Sequence, residues 1–196
     1  MDIKYILKLG LTLFITCVVV AGLLGLVNAI TEDKIAAINW ENTQKAMKAV
    51  VEDPSADFTE AMELTDAMKA ATAAAGGTLD SVYGVQVGGK NAGYAVKVVA
   101  SGSQGNIEMM VGVNADGAVT GVSIVKAQET SGIGSKVIDN EPVADGTPVL
   151  DQFKGLSAAD APTVGKNVDA ISGATVTSKG VTTGVNAALA AVGAIG

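Results

Sequence analysis

The chain has 196 residues, of which 48% are hydrophobic and 17% are charged, so it is long enough for one domain with appendages and a sizeable core. It contains no histidine and all 13 of its basic residues are lysine, which excludes histidine acid–base catalysis, histidine metal ligands and an arginine phosphate clamp. The net charge of −7 argues against nucleic acid as a partner, and no metal site is predicted.

The first predicted element is a transmembrane helix over residues 9–30. This run is uncharged, and as a helix it would reach about 33 Å against a hydrocarbon core of about 30 Å, which makes membrane lipid an expected partner. Lys4 and Lys8 predict that residues 1–8 stay cytoplasmic and that the chain from about residue 31 lies outside. A cleaved signal peptide is the alternative, although its apolar region is usually only about 7–15 residues long.

A helical stalk is predicted over residues 31–77. Apolar residues recur at helical spacing in its first part, Pro54 interrupts the pattern, and a second helix is predicted over residues 59–75. Trp40 is interpreted as a packing or interfacial residue.

A block of strands follows the stalk. The predicted strands cover residues 79–87, 93–100, 107–113 and 119–125. Gly, Asn and Asp residues between them suit hairpin turns, and Met109 and Met110 are expected to fill the core. The predicted fold class is α+β, with a single N-terminal transmembrane helix followed by an extracytoplasmic antiparallel sheet with flanking helices.

The most informative segment is the nine-residue stretch 169–177, Asp-Ala-Ile-Ser-Gly-Ala-Thr-Val-Thr. Its central residues are small enough for a flat group to approach the backbone, and Gly173 permits the positive φ of a tight turn. A helix is predicted over residues 176–192, with Thr177 or Ser178 as its N-cap.

The start of this helix is a candidate phosphate site. Backbone N–H groups at a helix N-terminus favour an anion, and Lys179 adds a positive charge nearby. The hydroxyl of Thr175 therefore lies where a phosphate would be stabilised.

Residues 169–175 resemble the flavinylation motif of the FMN-binding domain family, Asp-x-x-(Ser/Thr)-Gly-Ala-Thr. The resemblance implies that FMN is bound covalently through a phosphoester to Thr175 and that a separate flavin transferase attaches it. Asp169 would be part of what the transferase recognises, and the chain would be the substrate of this step. The matching residues are Asp169, Ser172, Gly173, Ala174 and Thr175.

Residues 129–134, Glu-Thr-Ser-Gly-Ile-Gly, are similar to a Glu-Thr-Pro-Gly-Leu-Gly segment that lies beside the flavin in two related membrane complexes. Ser131 replaces the proline, and an isoleucine replaces the leucine. The resemblance implies that Glu129, Thr130, Gly132, Ile133 and Gly134 belong to the cofactor site. Glu129 is either a carboxylate near the flavin ring or a solvated loop residue, and the sequence leaves both interpretations open.

With its anchor and overall length, the chain is similar to the G-subunit family of Rnf ion-translocating ferredoxin:NAD oxidoreductases, to which the longer C subunit of NADH:quinone reductase is related. This implies an FMN-binding domain over residues 78–196. It also implies an electron-carrying subunit, not catalytic alone, whose partners are other membrane subunits of a Na⁺- or H⁺-transporting complex.

Three alternatives to this interpretation remain open. The chain could instead be a self-standing extracytoplasmic FMN carrier for another membrane donor, a pilin-like structural subunit, or an independent enzyme. A pilin-like protein would carry a glutamate in its apolar helix, which this chain lacks, and an enzyme would need a nucleophile–base pair, which is hard to assemble without histidine.

Overall fold

The structure, a computed structural model, describes residues 3–195, with side chains throughout except at positions 5 and 6. Within the predicted cytoplasmic segment 1–8, positions 1 and 2 therefore lie outside the described residues. The chain forms two compact units, one ending at Glu41 and one beginning at Asn42.

The first helix, α1, extends from Ile3 to Ala49 and includes the predicted membrane-spanning run. It is long and apolar enough to cross a membrane, and the side chains of its apolar window are not buried against protein. The hydroxyls of Thr12 and Thr16 donate to the carbonyls one turn earlier, each at 2.8 Å, so these polar groups are satisfied within the helix. Such internal pairing suits a helix surrounded by hydrocarbon.

A five-stranded antiparallel sheet forms the centre of the second unit, and its strands are neighbours in the same order as in the sequence. The strands are β1 (Asp57–Ala61), β2 (Thr78–Val87), β3 (Lys90–Ser101), β4 (Asn106–Asn114) and β5 (Val119–Ala127). The four strands predicted from alternating hydrophobicity are confirmed as β2 to β5, within a few residues at each end. Met109 and Met110 are both fully buried, as expected for core residues.

One face of the sheet is covered by two helices, α2 (Asp66–Ala74) and α4 (Thr175–Gly193). Gly184 of α4 allows close contact, because a β-carbon there would lie 2.5 Å from the terminal methyl of Met109. The short helix α3 (Ser135–Ile138) and a 3₁₀ turn (Asp151–Phe153) lie in the long connection between β5 and α4. Helix α4 is thereby fixed against the strands that precede it.

The opposite face is covered by the last turns of α1. Met47, and Val50 directly after the helix, are buried there, and the hydroxyl of Thr120 donates to the carbonyl of Val50 at 2.5 Å. Gly112 and Gly121, which pair across β4 and β5, leave room for this backbone, since a β-carbon on Gly112 would collide with the Val50 carbonyl. Both faces of the central strands are therefore buried.

The helix predicted over residues 59–75 is wrong in its first part. Residues 57–61 form β1, and α2 begins only at Asp66, with the Thr65 hydroxyl accepting from the Met68 N–H. The physical reason is the free edge of β2, which β1 covers; there the Gly84 N–H donates to Thr59 Oγ1 at 2.9 Å.

The predicted N-cap of the C-terminal helix is also wrong. Helix α4 begins at Thr175, and its cap position is Ala174, which has no capping side chain. Thr177 and Ser178 lie inside the first turn and are both buried, with the Ser178 hydroxyl donating to the Ala174 carbonyl at 3.1 Å.

Candidate functional site

A small cavity of about 150 Å³ lies beside the first turn of α4. Three segments converge on it: the connection between β3 and β4, the loop after β5, and the turn leading into α4. The residues that line it are Ser103, Glu129, Thr130, Ile133, Gly134, Gly173, Ala174, Thr175, Val176 and Thr177. The two segments singled out in the sequence, 129–134 and 169–177, thus meet at one place.

The turn before α4 presents the Thr175 side chain to solvent. Gly173 has φ +82°, as predicted for a tight turn, and the Ala174 N–H donates to the Ile171 carbonyl at 2.9 Å. Ala174 is buried while Thr175 is exposed. The helix therefore begins with a hydroxyl at the rim of the cavity.

The hydroxyls that follow Thr175 are engaged in the fold. Thr177 is 1% exposed and donates to Glu129 Oε2 at 3.0 Å, while Ser178, also 1% exposed, bonds to the backbone. Ser172 is exposed but lies outside the cavity lining. Of the hydroxyls on the first turn of α4, only that of Thr175 is open to a modifying group.

Glu129 ties the three segments together. Its Oε1 accepts the N–H of Ser103 at 2.8 Å and that of Gln104 at 3.4 Å, and its Oε2 accepts the Thr177 hydroxyl. Glu129 is half-buried, so it is not a freely solvated loop residue. β-Carbons at Gly102 and Gly134 would collide with the carboxylate. The two glycines make room for the carboxylate that joins the walls of the cavity.

The 129–134 loop is a compact turn. Gly132 has φ +74° and donates its N–H to the Ser135 hydroxyl at 2.9 Å, and the Thr130 carbonyl accepts the N–H groups of Ile133 and Ser135 at 3.2 Å. In this turn the Ile133 side chain is 50% exposed.

Two exposed apolar side chains lie beside Thr175 at the cavity. Among the described residues from Asn42 onward, the large hydrophobic side chains that remain exposed are Ile133, at 50%, and Val176, at 58%. Both line the cavity beside Thr175. Apolar side chains that line a cavity offer contact area to an apolar part of a ligand.

Four residues expected at the site do not line the cavity: Asp169, Ser172, Gly132 and Lys179. Lys179 is exposed on α4 one turn after Thr175, a spacing that places two side chains on the same helix face. Asp169 is exposed, and its backbone pairs with the side-chain amide of Gln152. Its carboxylate forms no hydrogen bond or ion pair with any other described residue.

Sequence reasoning missed three cavity residues: Ser103, Val176 and Thr177. Ser103 lies between Gly102 and Gly105, two loop glycines whose small size predicts that a flat ring can approach the backbone there, but no signal in the sequence marks Ser103 itself. Val176 and Thr177 were interpreted only as helix residues, and their part in the site depends on where α4 begins.

Two family models match the chain. Residues 1–50 match the RnfG N-terminal region, and residues 102–190 match the FMN-binding domain. The second match contains every segment that lines the cavity.

The relatives of the chain match it over most of its length. It is 36% identical to the G subunit of the Na⁺-translocating ferredoxin:NAD⁺ oxidoreductase complex of Acetobacterium woodii, over 94% of this chain and 90% of that protein. It is 30% identical to the G subunit of the ion-translocating oxidoreductase complex of Methanosarcina acetivorans, over 96% of this chain and 95% of that protein. A solved structure, the C subunit of the Na⁺-translocating NADH-quinone reductase from Parabacteroides distasonis, matches with 22% identity and a TM-score of 0.49, over 80% of this chain and 92% of that chain.

Proposed function

Because the chain belongs to the G-subunit family of ion-translocating oxidoreductase complexes and is a membrane-anchored electron-transfer subunit with an FMN-binding domain, we propose that it carries FMN covalently on Thr175. The observation that carries the proposal is the placement of the Thr175 hydroxyl. It is exposed at the first residue of α4, at a cavity, while the hydroxyls of Thr177 and Ser178 are buried and hydrogen-bonded.

The start of α4 suits a phosphoester. No side chain caps this helix, so the first backbone N–H groups remain available to phosphate oxygens. Lys179, one turn further along the exposed face, would add a positive charge. Ser172 and Gly173 add little bulk on the approach to the phosphate.

The flavin ring would lie against the cavity rather than inside it. Pockets that enclose a ligand of this size have volumes of about 300–1,000 Å³, whereas this cavity has about 150 Å³. Ile133 and Val176, which are exposed beside the cavity, would offer apolar contact to the ring. Weak enclosure gives a physical reason for a tether, because covalent attachment removes the association cost of about 4–15 kcal/mol that a free ligand must overcome.

Attachment is a group transfer without a change of oxidation state. Thr175 Oγ1 would attack the flavin-side phosphorus of a flavin dinucleotide such as flavin adenine dinucleotide. A new O–P bond would form, the phosphoanhydride bond would break and the nucleoside monophosphate would leave. The hydroxyl proton would go to a base that the flavin transferase supplies, since the hydrogen bonds of Glu129 are with Ser103, Gln104 and Thr177 and not with the Thr175 hydroxyl.

FMN, when bound, supplies the electron-transfer chemistry. The chain contributes the orientation of the cofactor and its attachment to a membrane helix. We place the domain that follows the helix outside the cytoplasm, because Lys4 and Lys8 precede the apolar run. Its partners are then the other membrane subunits of the complex, and ion conduction belongs to them, since an apolar run without charges offers no path for ions.

The test is production of the full chain together with a flavin transferase, followed by intact-mass measurement and in-gel fluorescence of denatured protein. We expect an FMN adduct on wild type and on Thr177→Ala, and none on Thr175→Ala. The Thr177→Ala variant is the matched control, because it removes a hydroxyl two residues away. An unchanged adduct on Thr175→Ala would refute the attachment site. Co-purification with other membrane subunits separates the complex from a self-standing carrier.

A further inference from the structure

The segment that leads to Thr175 is supported by Gln152, which lies 17 residues before Asp169 in the sequence. The side-chain amide of Gln152 donates to the Asp169 carbonyl at 3.1 Å and accepts the Asp169 N–H at 2.8 Å. We propose that Gln152 is a positioning residue for flavin attachment, which holds the backbone at Asp169 so that its carboxylate is presented to the flavin transferase. This inference rests on the proposed function of Thr175.

The backbone that carries Gln152 is fixed by its neighbours. Gln152 lies in the 3₁₀ turn Asp151–Phe153, and Leu150 and Phe153 on either side are 5% and 1% exposed. The amide nitrogen of Gln152 also donates to the Val149 carbonyl at 3.3 Å. With Leu150 and Phe153 held in the core, the Gln152 amide is an anchored point on an otherwise irregular connection.

The Gln152 side-chain amide pairs with the backbone N–H and C=O of Asp169, as the backbone of a neighbouring β-strand would. It satisfies both backbone groups of Asp169, while the carboxylate of the same residue remains exposed and without a partner among the described side chains. Two residues on, the Ile171 N–H donates to the Ser178 hydroxyl at 3.3 Å. The segment that leads to Thr175 is thus held at two points by side chains from elsewhere in the fold.

Because Gln152 holds the segment in place, the transferase loses less free energy in ordering it on binding. A transferase that binds Asp169 and reaches Thr175 must order the residues between them, and ordering a mobile segment weakens binding. Once the complex has formed, the Thr175 oxygen is in the same place with or without Gln152. Loss of Gln152 should therefore raise KM for the protein substrate and leave kcat unchanged.

The experiment uses the purified full chain in detergent micelles, a flavin transferase and flavin adenine dinucleotide, with adduct formation followed by intact mass. Gln152→Met keeps the length of the side chain and removes its three hydrogen bonds. We expect about a tenfold higher KM and an unchanged kcat, in line with the loss of the two bonds to Asp169. Hydrogen exchange at the Asp169 amide should be about tenfold faster in the same variant.

Two further variants complete the test. Gln86→Met alters an exposed glutamine on β2 that makes no side-chain hydrogen bond with the described residues, so its KM should equal that of wild type. Gln152→Glu can still accept the Asp169 N–H, but it sets a carboxylate oxygen against the carbonyls of Val149 and Asp169, so its KM should also rise well above that of wild type.

The outcomes separate the two proposals. Modification of Gln152→Met with the wild-type KM, or with a lower kcat at unchanged KM, would overturn the role of Gln152. If Gln152→Met fails to fold, a wild-type KM for Gln152→Glu would overturn it equally. Absence of any adduct on wild type would instead remove the proposed function of Thr175.

Discussion

The Glu129 carboxylate offers the sharpest test of how the site is assembled. Glu129→Ala removes the acceptor of the Ser103 N–H at 2.8 Å and of the Thr177 hydroxyl at 3.0 Å; the Gln104 contact at 3.4 Å is too long to count fully. Hydrogen bonds to a charged group contribute about 1.5–3 kcal/mol each. Because Ser103 is exposed, water replaces part of its bond, and we expect a loss of about 2 kcal/mol in the free energy of unfolding.

Urea unfolding of the full chain in detergent micelles, without flavin, measures this loss as a lower midpoint at an unchanged slope. Glu129→Gln should cost less than about 1 kcal/mol, because its amide oxygen can still accept and the Thr177 hydroxyl can rotate to accept from its nitrogen. Glu141→Ala, an exposed glutamate without a side-chain hydrogen bond among the described residues, is the control. A change below about 0.5 kcal/mol for Glu129→Ala, the level of an ordinary surface substitution, would refute the reasoning.

Two further predictions concern charge and packing. Under the proposed function, Glu129→Gln should keep the flavin adduct on Thr175 but shift its reduction potential, since it removes a negative charge from the cavity wall. A potentiometric titration identical to wild type would show that the ring lies away from this carboxylate. Gly112→Ala should destabilise the fold by about 1–3 kcal/mol in urea unfolding, because its β-carbon collides with the Val50 carbonyl. Gly105→Ala, where the nearest atom is 4.0 Å from the new β-carbon, serves as its control and should change stability by less than about 0.5 kcal/mol.

The parts of the fold that follow from local pattern could be predicted from the sequence. Alternating apolar residues and Gly- or Asn-containing turns defined β2 to β5, and the uncharged run defined a long helix. Strand β1 was missed because its five residues, Asp57–Ala61, carry no clear alternation, and their structure depends on pairing with β2. The start of α4 was missed because Ala174, in the cap position, has no capping side chain to mark it.

The sequence predicted the geometry of the site only where that geometry is set by residues adjacent in the chain. The turn at Gly173 is such a case, since a positive φ is characteristic of glycine. The contacts of Glu129 with Ser103 and Thr177 join positions 26 and 48 residues apart, and that of Gln152 with Asp169 spans 17. Periodicity and turn chemistry act over a few residues, so none of these pairs could be predicted before the fold was known.

The place of α4 in the chain has a consequence for biogenesis. This helix follows all five strands, and 11 of its 19 residues are buried, several of them against β3, β4 and α2. Thr175 occupies a helix start beside Glu129 only after the sheet has formed and α4 has docked onto it. A transferase that recognises this geometry would modify only the folded domain. Truncated or misfolded chains would therefore not receive FMN. Under the proposed function, flavin attachment would then distinguish folded subunits from misfolded ones before they enter the oxidoreductase complex.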